Sequence, residues 1–225
     1  KTTLLRRLLA DPALSDTAVI VNEFGEVGLD HLLVEEVADD VVLLASGCLC
    51  CTMRDDLIST LIGLHHRAAA GDIPNFNRGV VETTGLADPI PITEAILVDV
   101  QLNRIYRLGR ITTAVDGLCG RLTLDTQETA VKQVAAADPL ILTKTDLLET
   151  GEIRHLQEHL EAMNPSVGVL RATHDAAPGA EIILTTEGIA NTLDKTARRL
   201  RVHAAHSPKH YDGIDTFMVK FGAVE

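Results

Sequence analysis

The chain has 225 residues, 46% of them hydrophobic, with four cysteines and a formal net charge of −12. That length holds one domain, or one domain and part of another, around a sizeable core, and no apolar run is long enough to span a membrane. The acidic balance, without a concentrated basic patch, excludes a nucleic-acid surface, and so few cysteines in so long a chain are not a disulfide scaffold. Clustered free thiols and no visible leader point to a reducing, cytoplasmic setting.

Lys1-Thr2-Thr3 opens a helix whose apolar face is Leu4, Leu5, Leu8 and Leu9. A Lys-Thr pair in this place is what remains of Gly-Lys-Thr when the preceding glycine loop is missing. The helix N-terminus would then receive phosphates, Lys1 would reach the outer ones, and the Thr2 hydroxyl would ligate magnesium. Ala18 to Val21 reads as a strand ending at Asn22-Glu23-Phe24-Gly25-Glu26, and Val41 to Leu44 as a second strand ending at a cysteine loop. Asp55 to Ala70 is helical in pattern, and Gly79 to Glu82 is a strand leading into Thr83-Thr84-Gly85. Strands follow at Ile111 to Val115, Leu140 to Leu142 and Val167 to Leu170, with helices at Thr126 to Ala136 and Glu152 to Met163. This alternation predicts an α/β fold with a mostly parallel sheet and helices on both faces. Ligands of such sheets bind at the carboxyl ends of the strands, where Asn22-Glu23, Cys48, Glu82-Thr83 and Thr143-Lys144 converge.

Beyond a basic helix carrying Lys195, Arg198, Arg199 and Arg201, the character changes. We read residues 1–201 as one domain, 202–213 as a histidine-containing linker, and 214–225 as the first strand of a truncated second α+β domain.

Cys48, Cys50 and Cys51 lie within four residues, in Ser46-Gly47-Cys48-Leu49-Cys50-Cys51-Thr52. Thiolates are strong ligands for soft metals, although a redox pair and plain packing are alternative uses of such a cluster. In extended backbone Cys48 and Cys50 share a face and Cys51 takes the other, so all three reach one ion only if the chain turns, which Gly47 permits. Three thiolates leave a tetrahedral site one ligand short, which suits exchangeable metal. His203, His206 and His210 are spaced by three and four around Pro208. They read either as a solvated linker or as a weaker capture site that loads the cysteines.

Thr143-Lys144-Thr145-Asp146 follows a strand and matches a guanine-reading loop in three essential features, with Thr143 standing where Asn is usual. The Asp146 carboxylate can accept from guanine N1 and N2, which adenine does not offer, Lys144 can lay its stem along the base, and Thr143 keeps a hydroxyl for cross-bracing.

Taken with Lys1-Thr2-Thr3, Asn22-Glu23-Phe24-Gly25-Glu26, the cysteine loop and Glu82-Thr83-Thr84-Gly85-Leu86-Ala87-Asp88-Pro89, this loop gives a chain that closely resembles the CobW-type P-loop GTPases over about residues 1 to 185. The resemblance implies a P-loop NTPase fold, hydrolysis of GTP to GDP and phosphate, and metallochaperone or metal-insertase activity with zinc or cobalt. It implies contacts from Lys1, Thr2 and Thr3 to phosphate, with Thr2 and Glu82 acting on magnesium and the Gly85 N–H on the γ-phosphate. It also implies guanine contacts from Thr143, Lys144 and Asp146, and a transition-metal site at Cys48, Cys50 and Cys51 with Glu23 and Glu26 as neighbouring oxygen ligands. The implied partners are GTP or GDP, the metal ion, and a client metalloprotein or cofactor-synthesis enzyme, with homodimer formation open and neither nucleic acid nor membrane involved. The alternative is a metal-storage or sensing protein in which nucleotide regulates docking with negligible turnover.

Overall fold

Side chains alternate across a strand, so a strand buried on both faces supplies two cores at once. Val19, Val80, Ala114 and Ile141 enter one cluster, while their chain neighbours Ala18, Ile20 and Val81 enter a second and Val115, Leu140 and Leu142 a third. The computed structural model that shows this describes residues 2–21, 43–45, 53–85, 87–184 and 214–223.

In chain order these hold α1 (Thr2–Leu9), β1 (Thr17–Val21), β2 (Leu43–Ala45), α2 (Met53–Ala70), β3 (Arg78–Glu82), α3 (Pro89–Val98) and α4 (Leu102–Ile105). They continue with β4 (Tyr106–Asp116), α5 (Gly120–Thr126), α6 (Glu128–Ala136), β5 (Pro139–Thr143), α7 (Thr150–Met163), β6 (Gly168–Arg171), α8 (Glu181–Leu184) and β7 (Ile214–Ala223). Among the described residues the sheet has seven strands in the order β2-β1-β3-β7-β4-β5-β6. All pairings are parallel except the two made by β7. The helices α1 and α8 cover one face through Leu4, Leu5, Leu8, Leu9, Ile182 and Ile183. On the other face lie α2 and α3, through Leu57, Leu61, Leu64, Ile92 and Ile96, and α6 and α7, through Ala130, Val134, Ile153, Leu156 and Leu160. This is the α/β sheet with helices on both faces that the sequence pattern predicts.

Three particulars differ from expectation. The expected helix from Thr126 to Ala136 forms as α6, but a helix not expected, α5, precedes it and is separated from it by Gln127, which is extended at φ −129° and ψ 116°. No element was expected at 89–98, yet α3 forms there. Asp88 accepts from the Ile90 N–H at 3.0 Å as its N-cap, and Pro89 sits at the first helical position, where a missing N–H breaks no helical bond. Finally, the strand expected at 214–225 forms as β7, but its partners are β3 and β4 rather than strands of a separate unit. An antiparallel strand there satisfies the backbone groups of two buried strands that do not pair with each other. The basic helix at 195–201 and the linker at 202–213 lie outside the described residues.

Candidate functional site

Parallel registers bring the carboxyl ends of the strands to one edge. Val21 is level with both Ala45 and Glu82, and Asp116 is level with Thr143. Among the described residues, two groups of loops leave that edge.

The first follows β3. Glu82 is 2% exposed, too buried to be a solvated surface carboxylate. Thr83 and Thr84 are buried as well, and the Thr84 carbonyl accepts from the Ala87 N–H at 3.1 Å, closing a turn around Gly85. The Gln133 side chain, from α6, donates to the Gly85 and Ala87 carbonyls at 3.0 and 2.9 Å. The buried Thr84 hydroxyl oxygen has no hydrogen-bond partner among the described residues. A buried carboxylate with an orphaned hydroxyl two residues on suits a polar, charged group such as magnesium-bound phosphate.

The second group follows β4, β5 and β6. Thr143 Oγ1 donates to the Val115 carbonyl at 3.2 Å, the cross-brace expected of its hydroxyl. Lys144 takes the left-handed region at φ 58°, alone in this among the described non-glycine residues. Its ammonium meets Asp116 Oδ2 at 2.5 Å. The Asp116 carboxylate also accepts from the backbone N–H groups of Leu118 and Cys119 at 2.9 and 3.2 Å. Burial raises the Asp116 pKa, but the hydrogen bonds from Lys144 and from these N–H groups outweigh it, so the carboxyl titrates below its ordinary range. The hydrogen bond to Asp116 in turn raises the Lys144 pKa against partial burial. Thr145 Oγ1 donates to the Ala172 carbonyl at 3.1 Å, and the His174 N–H donates to Asp146 Oδ1 at 3.2 Å. The Asp146 carboxylate stays exposed while the loop after β6 anchors one of its oxygens. Such an arrangement suits a ligand with a pair of N–H donors at its edge.

Of the expected site residues, Glu82 and Gly85 share the first group of loops, and Thr143, Lys144 and Asp146 the second. Thr3 is exposed in the first turn of α1, and Thr2 begins that helix. Lys1, Glu23, Glu26, Cys48, Cys50, Cys51, His203, His206 and His210 lie outside the described residues. Among the described residues no three His, Cys, Asp or Glu side chains are grouped to hold a metal, and no helix is long and apolar enough to cross a membrane.

The sequence reading missed Asp116, Gly117, Gln133 and the loop 172–174. All but Gln133 had a visible signal, since Asp116-Gly117 and Ala172-Thr173 each follow a predicted strand at its carboxyl end. Gly117 is required by close approach: a Cβ there would lie 2.7 Å from Leu148 Cδ1 and 2.8 Å from the Thr143 carbonyl, which accepts the Gly117 N–H at 2.9 Å.

A mostly parallel sheet with a buried acidic turn at one point of its carboxyl edge and a braced Thr-Lys-Thr-Asp loop at another defines a nucleotide-binding α/β domain. The chain belongs to the CobW/HypB/UreG family, whose nucleotide-binding domain it matches over residues 1–171. It is 37% identical to the zinc chaperone YjiA of Escherichia coli over 174 residues, 77% of this chain and 54% of that one. It is 29% identical over 200 residues to the zinc-regulated GTPase metalloprotein activator 1 of Schizosaccharomyces pombe, covering 85% of this chain and 47% of that protein. The chain thus spans about half the length of these relatives. The crystal structure of Zn(II)-bound YjiA GTPase from E. coli superposes with a TM-score of 0.62 at 30% identity, over 79% of this chain and 55% of that one. A Zn(II)-bound triple mutant of YjiA, with one glutamate and two adjacent cysteines replaced by alanine, superposes with the same TM-score.

Proposed function

We propose that the chain hydrolyses GTP to GDP and phosphate and couples that turnover to delivery of a divalent transition metal, zinc or cobalt, to a client metalloprotein or cofactor-synthesis enzyme. The observation that carries the nucleotide part is the Thr143–Asp146 loop, braced by two separate segments, the end of β4 and the loop after β6, while its carboxylate stays open to a base. In this reading Asp146 accepts from guanine N1 and N2, and Lys144 and Thr143 hold the loop in shape. Lys1, Thr2 and Thr3 take the phosphates, Thr2 and Glu82 hold magnesium, and the Gly85 N–H meets the terminal phosphate. Magnesium, when bound, neutralises charge on the phosphate oxygens.

The metal in transit is cargo. Cys48, Cys50 and Cys51 would take it, with Glu23 and Glu26 as neighbouring oxygen ligands and His203, His206 and His210 as a weaker capture site. The adjacent pair Cys50-Cys51 and the names of the zinc-handling relatives support that reading. Zinc-site free energies of about 10–16 kcal/mol make spontaneous release slow, so delivery needs a site that changes with nucleotide state.

The test is steady-state phosphate release by the full-length protein with GTP and with ATP, each with and without zinc. The expected result is GTP-selective turnover that responds to metal, with the selectivity relaxed in Asp146→Asn. Equal affinity for the two nucleotides would overturn the guanine assignment. Nucleotide binding without turnover under every metal condition would replace the insertase reading with that of a nucleotide-regulated metal store or sensor.

A further inference from the structure

Gln133 has no solvent exposure, yet it keeps a polar side chain inside the packed face of α6. Its Nε2 spends both hydrogens on backbone carbonyls of one turn, those of Gly85 and Ala87. Its backbone carbonyl accepts from Thr113 Oγ1 at 3.0 Å, so the residue is fixed to β4 where it reaches the turn. The neighbouring Lys132 ammonium lies 3.3 Å from Asp88 Oδ2 and 3.0 Å from Glu128 Oε1. Consecutive residues of α6 therefore hold the two ends of the segment 85–88.

The geometry at Gly85 gives these bonds a purpose. Glycine has the widest backbone freedom of any residue, so a Gly85 N–H left to itself would have no fixed direction. The Thr84 carbonyl is held by the Ala87 N–H, and because a trans peptide is planar, that bond also sets the direction of the Gly85 N–H. Gln133 holds the next peptide through the Gly85 carbonyl. Both peptide planes flanking Gly85 are thereby fixed. Gln133 Oε1 is buried with no hydrogen-bond partner among the described residues, so the amide is retained here for its donors.

We infer that Gln133 is a positioning residue for the turn after β3, holding the Gly85 N–H in the direction that reads a terminal phosphate and so separating nucleoside triphosphate from diphosphate. This rests on the GTPase reading above. No contact with nucleotide is assigned to Gln133 itself.

The experiment compares wild type, Gln133→Met and Gln133→Glu in the full-length protein. It measures kcat and KM for GTP, and the affinities for GDP and a non-hydrolysable GTP analogue. Gln133→Met, similar in volume and lacking donors, is expected to lower kcat and the triphosphate-to-diphosphate affinity ratio about ten-fold each, with GDP affinity unchanged. Gln133→Glu, whose carboxylate faces two carbonyls, is expected to lower both further. Equal losses of GDP and analogue affinity, or unchanged kinetics, would reduce Gln133 to a packing residue and overturn the inference while leaving the GTPase reading intact. Wild type that neither binds nor hydrolyses GTP would overturn both. Hydrogen exchange on wild type alone covers the case in which neither variant folds: the segment 82–88 is expected to exchange more slowly with the analogue than with GDP, and identical exchange would overturn the inference.

Discussion

Lys144 Nζ lies 2.5 Å from Asp116 Oδ2, joining the residue that ends β4 to the one that follows β5. The contact draws together two loops that the chain separates by α5, α6 and β5.

The pairing has an acid limb. The folded-state pKa of Asp116 is below its ordinary 3.8, so between the two values the unfolded chain binds more protons and stability rises with pH. The contribution is complete above pH 3.8 and is lost as pH falls through the lowered value. The Lys144 side chain is 52% exposed, which limits the pair to about 0.5–1 kcal/mol after solvent screening. Urea unfolding of wild type and Asp116→Asn should show a gap of that size at pH 7 that closes below pH 3.8; a gap independent of pH would refute it.

Tyr106 supplies an alkaline limb. It is 3% exposed, its hydroxyl donates to the Leu61 carbonyl at 2.8 Å, and burial pushes its pKa from 10.0 to about 12. Folding stability should therefore begin to fall near pH 10, where the unfolded chain starts to release the proton, and continue falling to about pH 12. Two units correspond to about 2.7 kcal/mol. Tyr106→Phe should remove most of that slope while costing about 1 kcal/mol at pH 7 through the lost hydrogen bond. Denaturant midpoints between pH 8 and pH 11 decide the matter.

Gly117→Ala should push the loop after β4 away from the Thr143 carbonyl, at the end of β5, and from Leu148, which packs against the third core cluster. A loss of about 1–3 kcal/mol is expected by analogy with overpacking. Weaker binding of a fluorescent GTP analogue should accompany it, since the same displacement moves Lys144. Unchanged binding alongside the stability loss would separate Gly117 from the base site.

Replacing Cys48, Cys50 and Cys51 together by alanine should abolish tight binding of one zinc or cobalt ion, with GTP affinity retained. Undiminished stoichiometry in a metal titration would move the site elsewhere, with His203, His206 and His210 examined next. If those histidines load the cysteine site, their triple alanine variant should acquire zinc more slowly from dilute metal, again with GTP affinity unchanged.

The parts of this fold that were legible in the sequence are those written in local periodicity. Val19, Val80 and Ile141 stand in short β-branched or apolar runs that end in polar loops, and such runs mark both a strand and the edge where it stops. The α3 helix was missed because Pro89 and Pro91 look like breakers until Asp88 is seen capping the first turn. Gln133 reads as an ordinary polar helix residue, because its partners lie 48 and 46 positions upstream and nothing local announces them. The alternating pattern of β7 predicted a strand but carried no information about its neighbours, which are settled by which backbone edges remain unpaired.

The shared level of Ala45, Val21 and Glu82 bears on how fast one event can be felt by another. With β1 between them, the backbones of Ala45 and Glu82 stand two interstrand spacings apart, roughly 10 Å. Cys48 follows Ala45 by only three residues in the sequence, a tether no longer than about 10 Å when fully drawn out. Under the proposed function, an ion held at Cys48 would lie close enough to Glu82 in the chain to need no swinging domain between them. Loop motions in general take nanoseconds to microseconds, far quicker than turnover at typical rates, so on that reading cargo and fuel would have exchanged their message well before a round of hydrolysis ended.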